Sequence, residues 1–430
     1  MHSSGTEEID RTFVNRLDWS GVVSPLDPPL PDAINTESGF RTRDVDELRS
    51  FLTPYLSDYG ITRVAHLTGF DSVGLPVHMA VKPQGKTLSS GSGKGSLPNA
   101  SWVSAVMECA EQAVWENISI ESINASENMM RRLGVNVVEG HTLPLMEGEL
   151  LSGDLPIGWV AGWDIVNGEE IYIPEALVTV ASGWQRTHRL HVAGSNGLAS
   201  GAHVLEAVLS GLQEVIERDG VTLNTEVFSA PHQDAMQLLE EAAPSVAERV
   251  QQSGLRMEVA DCTTDVGVPT ITAYLFDDLY PTGTYKGAGA ATSYSTALVR
   301  AVTEAAQARC LIIAGARDDI FEMSRASGTR FNSRPTSAGA PPIPKRGIFH
   351  NDFNAGVTSV LAAIEWMIVK LQEAGFNRVI VIRHSAPGDP VQVVRVVVPG
   401  VEGYPFAYAK TGARADSWRA SQKVQKVVSL

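Results

Sequence analysis

Three well-separated segments of this chain repeat one polar pattern on one kind of background. They are Ser104-x3-Glu108-x2-Glu111, Ser210-x3-Glu214-x2-Glu217 and the close variant Arg300-x3-Glu304-x2-Gln307. Each lies in a run of Ala, Val, Leu, Met and Ile that reads as a helix, and steps of four then three residues put its polar groups on one helical face. Glu206 extends the second stripe by one more step of four. Upstream of each stripe is a stretch rich in Gly and small polar residues: Ser89 to Ser96, Ala193 to Gly197, and Lys286 to Ala290. These read as glycine loops, so the chain is three loop-then-acidic-helix units that one fold must accommodate.

Strand signals fill the intervals. Arg63 to His66, Pro76 to Val81, Pro156 to Pro174, Arg256 to Asp261, Thr270 to Phe276, Arg378 to Arg383 and Val391 to Val398 read as strands or strand-rich stretches. Asp44 to Tyr55, Gln233 to Gly254 and Val357 to Gly375 read as further helices, and Asn99 is the expected cap of the first acidic helix. Alternating strands and helices predict an α/β (α+β) architecture in which related units converge on one site. Met1 to about Phe40 is polar and Pro-rich, a flexible or extended lead-in. Arg317 to Ile348 has no period and is dense in Ser, Thr, Pro and basic residues, as expected of a mobile segment near a substrate path. Trp159, Trp163 and Trp184 are read as packing residues.

Charge and cysteine content narrow the function. A formal charge of −15 argues against a protein that grips a nucleic-acid backbone, which needs a basic face, but it does not exclude a nucleotide. No apolar run approaches the roughly 18 to 20 residues of a membrane span, and the N-terminus lacks a signal-peptide core, so a cytoplasmic protein is expected. Cys109, Cys262 and Cys310 have neither CxxC nor Cys/His spacing, which leaves no disulfide or zinc signal and suggests buried, inert thiols.

An ExxE pair on an exposed helix is usually solvated charge. Here Glu108 and Glu111 sit among Ala105, Val106, Met107, Cys109, Ala110 and Ala113, so the helix has little other polar surface. Several carboxylates on one half-buried face repel each other, and each is costly to desolvate unless cations compensate. Arg218, Arg300 and Arg309 supply part of that charge, and a divalent ion would supply the rest. Mg2+ takes a few carboxylates plus water and phosphate oxygens, and small-residue loops let backbone N–H groups approach phosphate, with Lys94 beside them. The GxxxxGK[ST] pattern fails at Leu88 and Gly95, and no kinase HRD or DFG set is present. The residues alone thus predict a Mg-nucleotide enzyme with a glutamate-rich cleft.

The combination resembles the YcaO family. Gly60-Ile61-Thr62-Arg63-Val64-Ala65 with Gly74-Leu75-Pro76-Val77, then Gly93-Lys94-Gly95 before the first stripe, Glu214-Val215-Ile216-Glu217-Arg218, and Arg300 to Arg309 carry the likeness, which covers roughly residues 40 to 400. It implies a YcaO-like catalytic domain over 41–400, between a Pro-rich segment at 1–40 and a tail at 401–430. It further implies an ATP- and Mg2+-dependent enzyme that phosphorylates the oxygen of a peptide backbone amide before a nucleophile attacks the carbon. Lys94, Ser104, Glu206, Arg300, Glu304 and Gln307 would then bind nucleotide, Glu108, Glu111, Glu214 and Glu217 metal, and Glu217 and Arg218 would be catalytic. Ala202 stands where members often have a polar residue. The ending Lys426-Val427-Val428-Ser429-Leu430 lacks the Pro-x-Pro-x-Pro tail common in azoline formers, and Val396-Val397-Val398-Pro399-Gly400 is more similar to members that install thioamides with a TfuA-type partner. Azoline or macrocyclic amidine formation stays open, as does a nucleotide-binding accessory role without chemistry. The expected partners are a precursor peptide and either a TfuA-type protein or one similar to ubiquitin-activating enzymes. A homodimer is left open, and no leader-binding domain is read from the chain.

Overall fold

Alternation decides the fate of the glycine-rich segments. In the computed structural model, which describes residues 17–149, 152–180, 190–192, 194–227, 230–277, 284–316, 355–403 and 409–428, Ser90–Lys94 and Thr284–Ala290 are strands. Successive strand residues face opposite ways, so Gly91 and Gly93 share one face, as do Gly287 and Gly289. A Cβ on Gly93 would stand 2.0 Å from the Ser101 carbonyl oxygen and 2.1 Å from the Ala105 nitrogen, and one on Gly287 would stand 2.2 Å from the Ala305 nitrogen. The expected glycine loops are therefore corrected: they are strands stripped of side chains on one face so that a helix backbone can lie against them. In the second unit, Gly194 to Gly197 leads into a strand at Leu198–Gly201, where a Cβ on Gly201 would meet the Ala207 nitrogen at 2.5 Å.

The described strands are β1 Ile34–Thr36, β2 Gly39–Arg41, β3 Arg63–His66, β4 Val77–Val81, β5 Ser90–Lys94, β6 Ile123–Ser126, β7 Leu145–Met146, β8 Pro156–Asp164, β9 Glu169–Pro174, β10 Leu198–Gly201, β11 His232–Gln233, β12 Arg256–Asp261, β13 Thr270–Phe276, β14 Thr284–Ala290, β15 Ile380–Arg383, β16 Gln392–Val397 and β17 Ala409–Lys410. The α-helices are α1 Val45–Leu52, α2 Pro98–Asn117, α3 Glu127–Arg132, α4 Val204–Val221, α5 Met236–Ala242, α6 Pro244–Gln252, α7 Tyr294–Ala314, α8 Val360–Glu373 and α9 Ala413–Val428. Three main sheets run β3-β4-β5, β10-β16-β15-β8-β6 with β9 also on β8, and β11-β12-β13-β14. Every pairing of these strands is antiparallel, which gives the α/β class its α+β form.

The three strand–helix units close into a ring. β5 packs its glycine face on α2, and its other face meets α7, where Gln307 Nε2 donates to Ser92 Oγ at 3.0 Å. β14 packs its glycines on α7, while Ala290 joins the core around α4 and Lys286 Nζ donates to Thr225 Oγ1 at 3.1 Å just past that helix. β10 lies against α4, and its Ser200 Oγ donates to Glu111 Oε2 of α2 at 3.0 Å. The three stripe-bearing helices are thereby drawn around one centre.

α2 begins at Pro98, whose fixed φ suits the first helical position, and Leu97 offers no side-chain cap. Asn99 instead bonds Arg49 and Asp46. The single helix expected over Gln233 to Gly254 is β11 followed by α5 and α6, broken at Ala243, where φ −151° and ψ 77° reflect the steric demand of Pro244. From Leu17 onward the lead-in turns at Trp19–Val23 and Ser24–Asp27 and is anchored: Val22 is buried, Trp163 Nε1 donates to the Asp18 carbonyl at 2.8 Å, and Arg383 pairs with Asp27 at 2.6 Å. Within the 401–430 tail lies a docked helix, α9. Trp159 and Trp163 pack as expected, with Trp159 Nε1 donating to the Ala125 carbonyl at 2.9 Å. Trp184 and all of Arg317 to Ile348 lie outside the described residues.

Candidate functional site

Two of the stripe helices start on side-chain caps. His203 Nδ1 accepts from the Leu205 N–H at 3.1 Å at the head of α4, and Ser293 Oγ accepts from Thr296 at 3.1 Å at the head of α7. These fix the rotation at which Glu206, Glu214 and Glu217, and Arg300, Glu304 and Gln307, face the centre of the ring.

The stripes meet there. The Ser92 N–H donates to Glu108 Oε2 at 3.2 Å, so β5 is tied by one serine to both the α2 and the α7 stripes. Lys94 Nζ pairs with Glu304 across the same strand face. On α4, Arg218 Nη2 lies 3.5 Å from Glu214 Oε1, and Arg300 Nη1 of α7 donates to Gln213 Oε1 at 3.3 Å. Glu206 accepts from Thr42, at 3.2 Å from its N–H and 2.5 Å from its hydroxyl, and lies 3.8 Å from Arg41 Nε. Ser104 stands partly buried one turn before Glu108.

Titration behaviour reflects this crowding. Burial, then the charges of Glu214 and Glu108, hold the Glu111 carboxyl well above the ordinary carboxylate range. Burial raises Glu214 to about 7, against the pull of Arg218, with Glu217 adding repulsion. Glu217 is raised by burial and by Glu304. For Glu304, burial is outweighed by Lys94, with Arg218 and Arg300 behind it, and its carboxyl is lowered. Two carboxylate pairings emerge, Glu111 with Glu214 and Glu217 with Glu304. Glu304, expected to contact nucleotide only, thus stands electrostatically beside the expected metal ligands.

Arg41, Thr42 and Arg395 are the residues that sequence reading missed. Arg395 is 1% exposed in the middle of β16, and its charge bears on both Glu111 and Glu214. A lone arginine within Val391 to Val398 was a usable signal for it. Arg41 and Thr42 carried none, because they reach Glu206 across 164 residues of sequence. The cysteines behave as read: burial pushes the thiols of Cys109 and Cys262 up to about 11 and that of Cys310 to about 12.

The donor set fits a metal bound together with an anion. Among the described residues no three acidic, imidazole or thiol side chains already surround one point, so a divalent ion here would complete its shell with water or phosphate oxygens, as Mg2+ does. Among the described residues the buried Arg300 Nε has no hydrogen-bond partner, leaving a donor for such an anion.

A family model described as YcaO cyclodehydratase, ATP- and Mg2+-binding, matches residues 92–402. The chain belongs to the YcaO family. It is 29% identical over 397 residues to an uncharacterised protein encoded in the tfuA 3′ region of Rhizobium leguminosarum bv. trifolii, covering 88% of this chain and 93% of that one. Its YcaO fold matches that of YcaO from Methanopyrus kandleri bound with AMPPCP and Mg2+, with a TM-score of 0.64 at 24% identity over 86% of this chain and 93% of that one. It also matches a heterocyclase solved in complex with substrate and cofactor, with a TM-score of 0.71 at 20% identity over 88% of this chain and 55% of that one. No helix among the described residues of this YcaO chain is long and apolar enough to cross a membrane.

Proposed function

We propose that this chain uses ATP and Mg2+ to phosphorylate the oxygen of a peptide backbone amide, and that the product is a thioamide made with a TfuA-type partner. The activation step is supported by the convergence of three stripes that pair Glu111 with Glu214 and Glu217 with Glu304 among Lys94, Arg218 and Arg300. The sulfur outcome is supported by the relative from the tfuA 3′ region, which this chain matches over nearly its whole length.

The reaction balances without a protein nucleophile. The amide oxygen takes the γ-phosphoryl group and ADP leaves. Sulfide adds to the amide carbon, and phosphate departs with the original oxygen. Bound Mg2+ supplies charge neutralisation for the transferring phosphoryl group. Glu111 and Glu214, with Glu108 and Glu217 beside them, would hold it. Lys94, Arg300 and Gln307, with Ser104 and Glu206 on the same ring, would orient the nucleotide. Arg218, beside Glu214 and Glu217, would stabilise charge on the transferring oxygens. Arg41 and Thr42 both meet Glu206, so the catalytic unit would begin no later than residue 41.

A second reading, azoline formation, draws on the family model's description as a cyclodehydratase. Reconstitution separates the outcomes: purified chain, Mg-ATP, precursor peptide, sulfide and a TfuA-type protein should release phosphate and exchange one peptide oxygen for sulfur. Loss of one water from the peptide, with a partner similar to ubiquitin-activating enzymes, would select the azoline reading. ATP binding without turnover across candidate peptides and partners would select an accessory role. Glu217→Gln should abolish turnover while leaving the fold intact, and retained turnover would remove the site from consideration.

A further inference from the structure

The closest strand–helix approaches give the three units a common register. A Cβ on Gly93 would meet the Ser101 oxygen and the Ala105 nitrogen, one on Gly201 the His203 oxygen and the Ala207 nitrogen, and one on Gly289 the Ala297 oxygen and the Ala301 nitrogen. In each unit these two atoms belong to residues four apart, the carbonyl and N–H of one helical turn. Gly93, Gly201 and Gly289 are therefore equivalent, as are Ala105, Ala207 and Ala301. In this register the α4 stripe is Glu206-x3-Ser210-x2-Gln213, one turn before the Ser-Glu-Glu pattern of the sequence. Gln213 is thus the counterpart of Glu111 on α2 and of Gln307 on α7.

Both counterparts meet a serine that precedes the equivalent glycine on a neighbouring strand. Ser200 Oγ donates to Glu111 Oε2, and Gln307 Nε2 donates to Ser92 Oγ, each at 3.0 Å. β14 breaks the pattern: Ala288 precedes Gly289, on the strand face that carries Ala290 into the core around α4. It offers Gln213 no hydroxyl. Gln213 is 4% exposed, and its Oε1 accepts instead from Arg300 Nη1 of α7 at 3.3 Å. We propose that Gln213 is a positioning residue for Arg300, freed for that task by Ala288. This rests on the reading that Arg300 binds the nucleotide. An arginine loses rotamer freedom when it engages an anion, and a fixed acceptor on one of its nitrogens removes part of that cost before the nucleotide arrives. A neutral amide suits the place better than a carboxylate, which would compete with phosphate for the guanidinium charge. Arg300 Nε, without a partner among the described residues, stays available to the ligand. A packing role alone would change melting temperature and leave nucleotide affinity as it is.

The test is a double-mutant cycle on the dissociation constant of AMPPCP with Mg2+, measured by calorimetry beside the melting temperature of the nucleotide-free protein. Gln213→Leu should raise that constant about 10-fold, the scale of one hydrogen bond to a charged group, and Gln213→Met serves if the leucine variant does not fold. In an Arg300→Met background the same change should have no further effect. Ala288→Ser, which restores the hydroxyl of the other two strands, should weaken binding in the same direction by a smaller factor, and unchanged affinity there overturns the part assigned to Ala288. Wild-type affinity in a folded Gln213 variant, or losses that add in the double variant, overturns the proposal while the nucleotide reading of Arg300 stands. Wild-type affinity in Arg300→Met overturns both.

Discussion

Lys94 on β5 pairs with Glu304 on α7, across the strand face opposite the one whose glycines seat α2. One strand therefore seats one helix of the site and charges the next. The side chains of the pair are 28% and 35% exposed, so its net contribution to folding is small, within about 1 kcal/mol. Its effect belongs to the reaction. Lys94→Met should reduce ATP turnover by about 100-fold, the scale of removing one preorganised charge-stabilising donor. Phosphate release and thermal melting measured on the same samples check the two halves.

Gly93→Ala tests whether the glycine segments are packing surfaces or phosphate loops. The added methyl would fall 2.0 Å from a backbone oxygen and 2.1 Å from a backbone nitrogen of α2, neither of which can turn aside as a side chain would. A loss of about 3 kcal/mol or more is expected in urea unfolding, at or beyond the upper end for overpacking. Gly69→Ala, where nothing lies within 4 Å, is the control and should be near neutral. Weakened nucleotide binding in a Gly93→Ala protein of normal stability would restore the phosphate-loop reading.

These glycines also show where sequence reading stops. Helical stripes declare themselves through 3.6-residue periodicity, and strands such as Arg256–Asp261 and Thr270–Phe276 through alternation of apolar with other residues or a long apolar run. Ser90–Lys94 alternates glycine with polar residues, so its period is present but its hydrophobic signal is absent. The stripe residues were legible because they share helices. Arg41 and Thr42 were not, because their place is set by a tertiary contact with Glu206, and local sequence does not encode which distant element a strand end will meet.

The acidic cleft should make the metal-free protein sensitive to alkali. Glu214 is raised from an ordinary value of 4.5 to about 7, so between those values the folded state holds a proton that the unfolded state has released. Its contribution is therefore most favourable below about pH 4.5 and is lost as pH rises through about 7. Glu214→Gln removes that dependence. Without metal, the variant should gain on the wild type as pH rises from 5 to 8, by about 1 to 2 kcal/mol, since part of the side chain keeps solvent contact. Chemical denaturation of both proteins across that range in EDTA measures the difference, and a constant offset would contradict it.

The C-terminal helix is fastened to the helix that carries Glu214 and Glu217. Arg414 at the start of α9 donates from Nε and Nη2 to the two oxygens of Asp219, each at 2.8 Å, and from Nη2 to Asp265 at 2.6 Å. Asp219 is 1% exposed and also accepts from the Glu402 N–H at 2.9 Å, while the Glu402 carboxylate accepts from Gly412 and Ala415 at 2.9 and 3.0 Å. Burial raises the Asp219 carboxyl despite its arginine, so the pair holds a charge that costs free energy once its partner is gone. Arg414→Ala should destabilise the protein by about 3 to 5 kcal/mol, whereas Arg419→Ala, whose partner Asp416 is exposed, should change it by less than about 1 kcal/mol. Because Asp219 follows Glu217 and Arg218 directly, loosening this clamp should also increase proteolytic cleavage near residue 412 before the remainder of the chain is cut. Urea unfolding and timed proteolysis of the two variants distinguish a buried clamp from a surface ion pair.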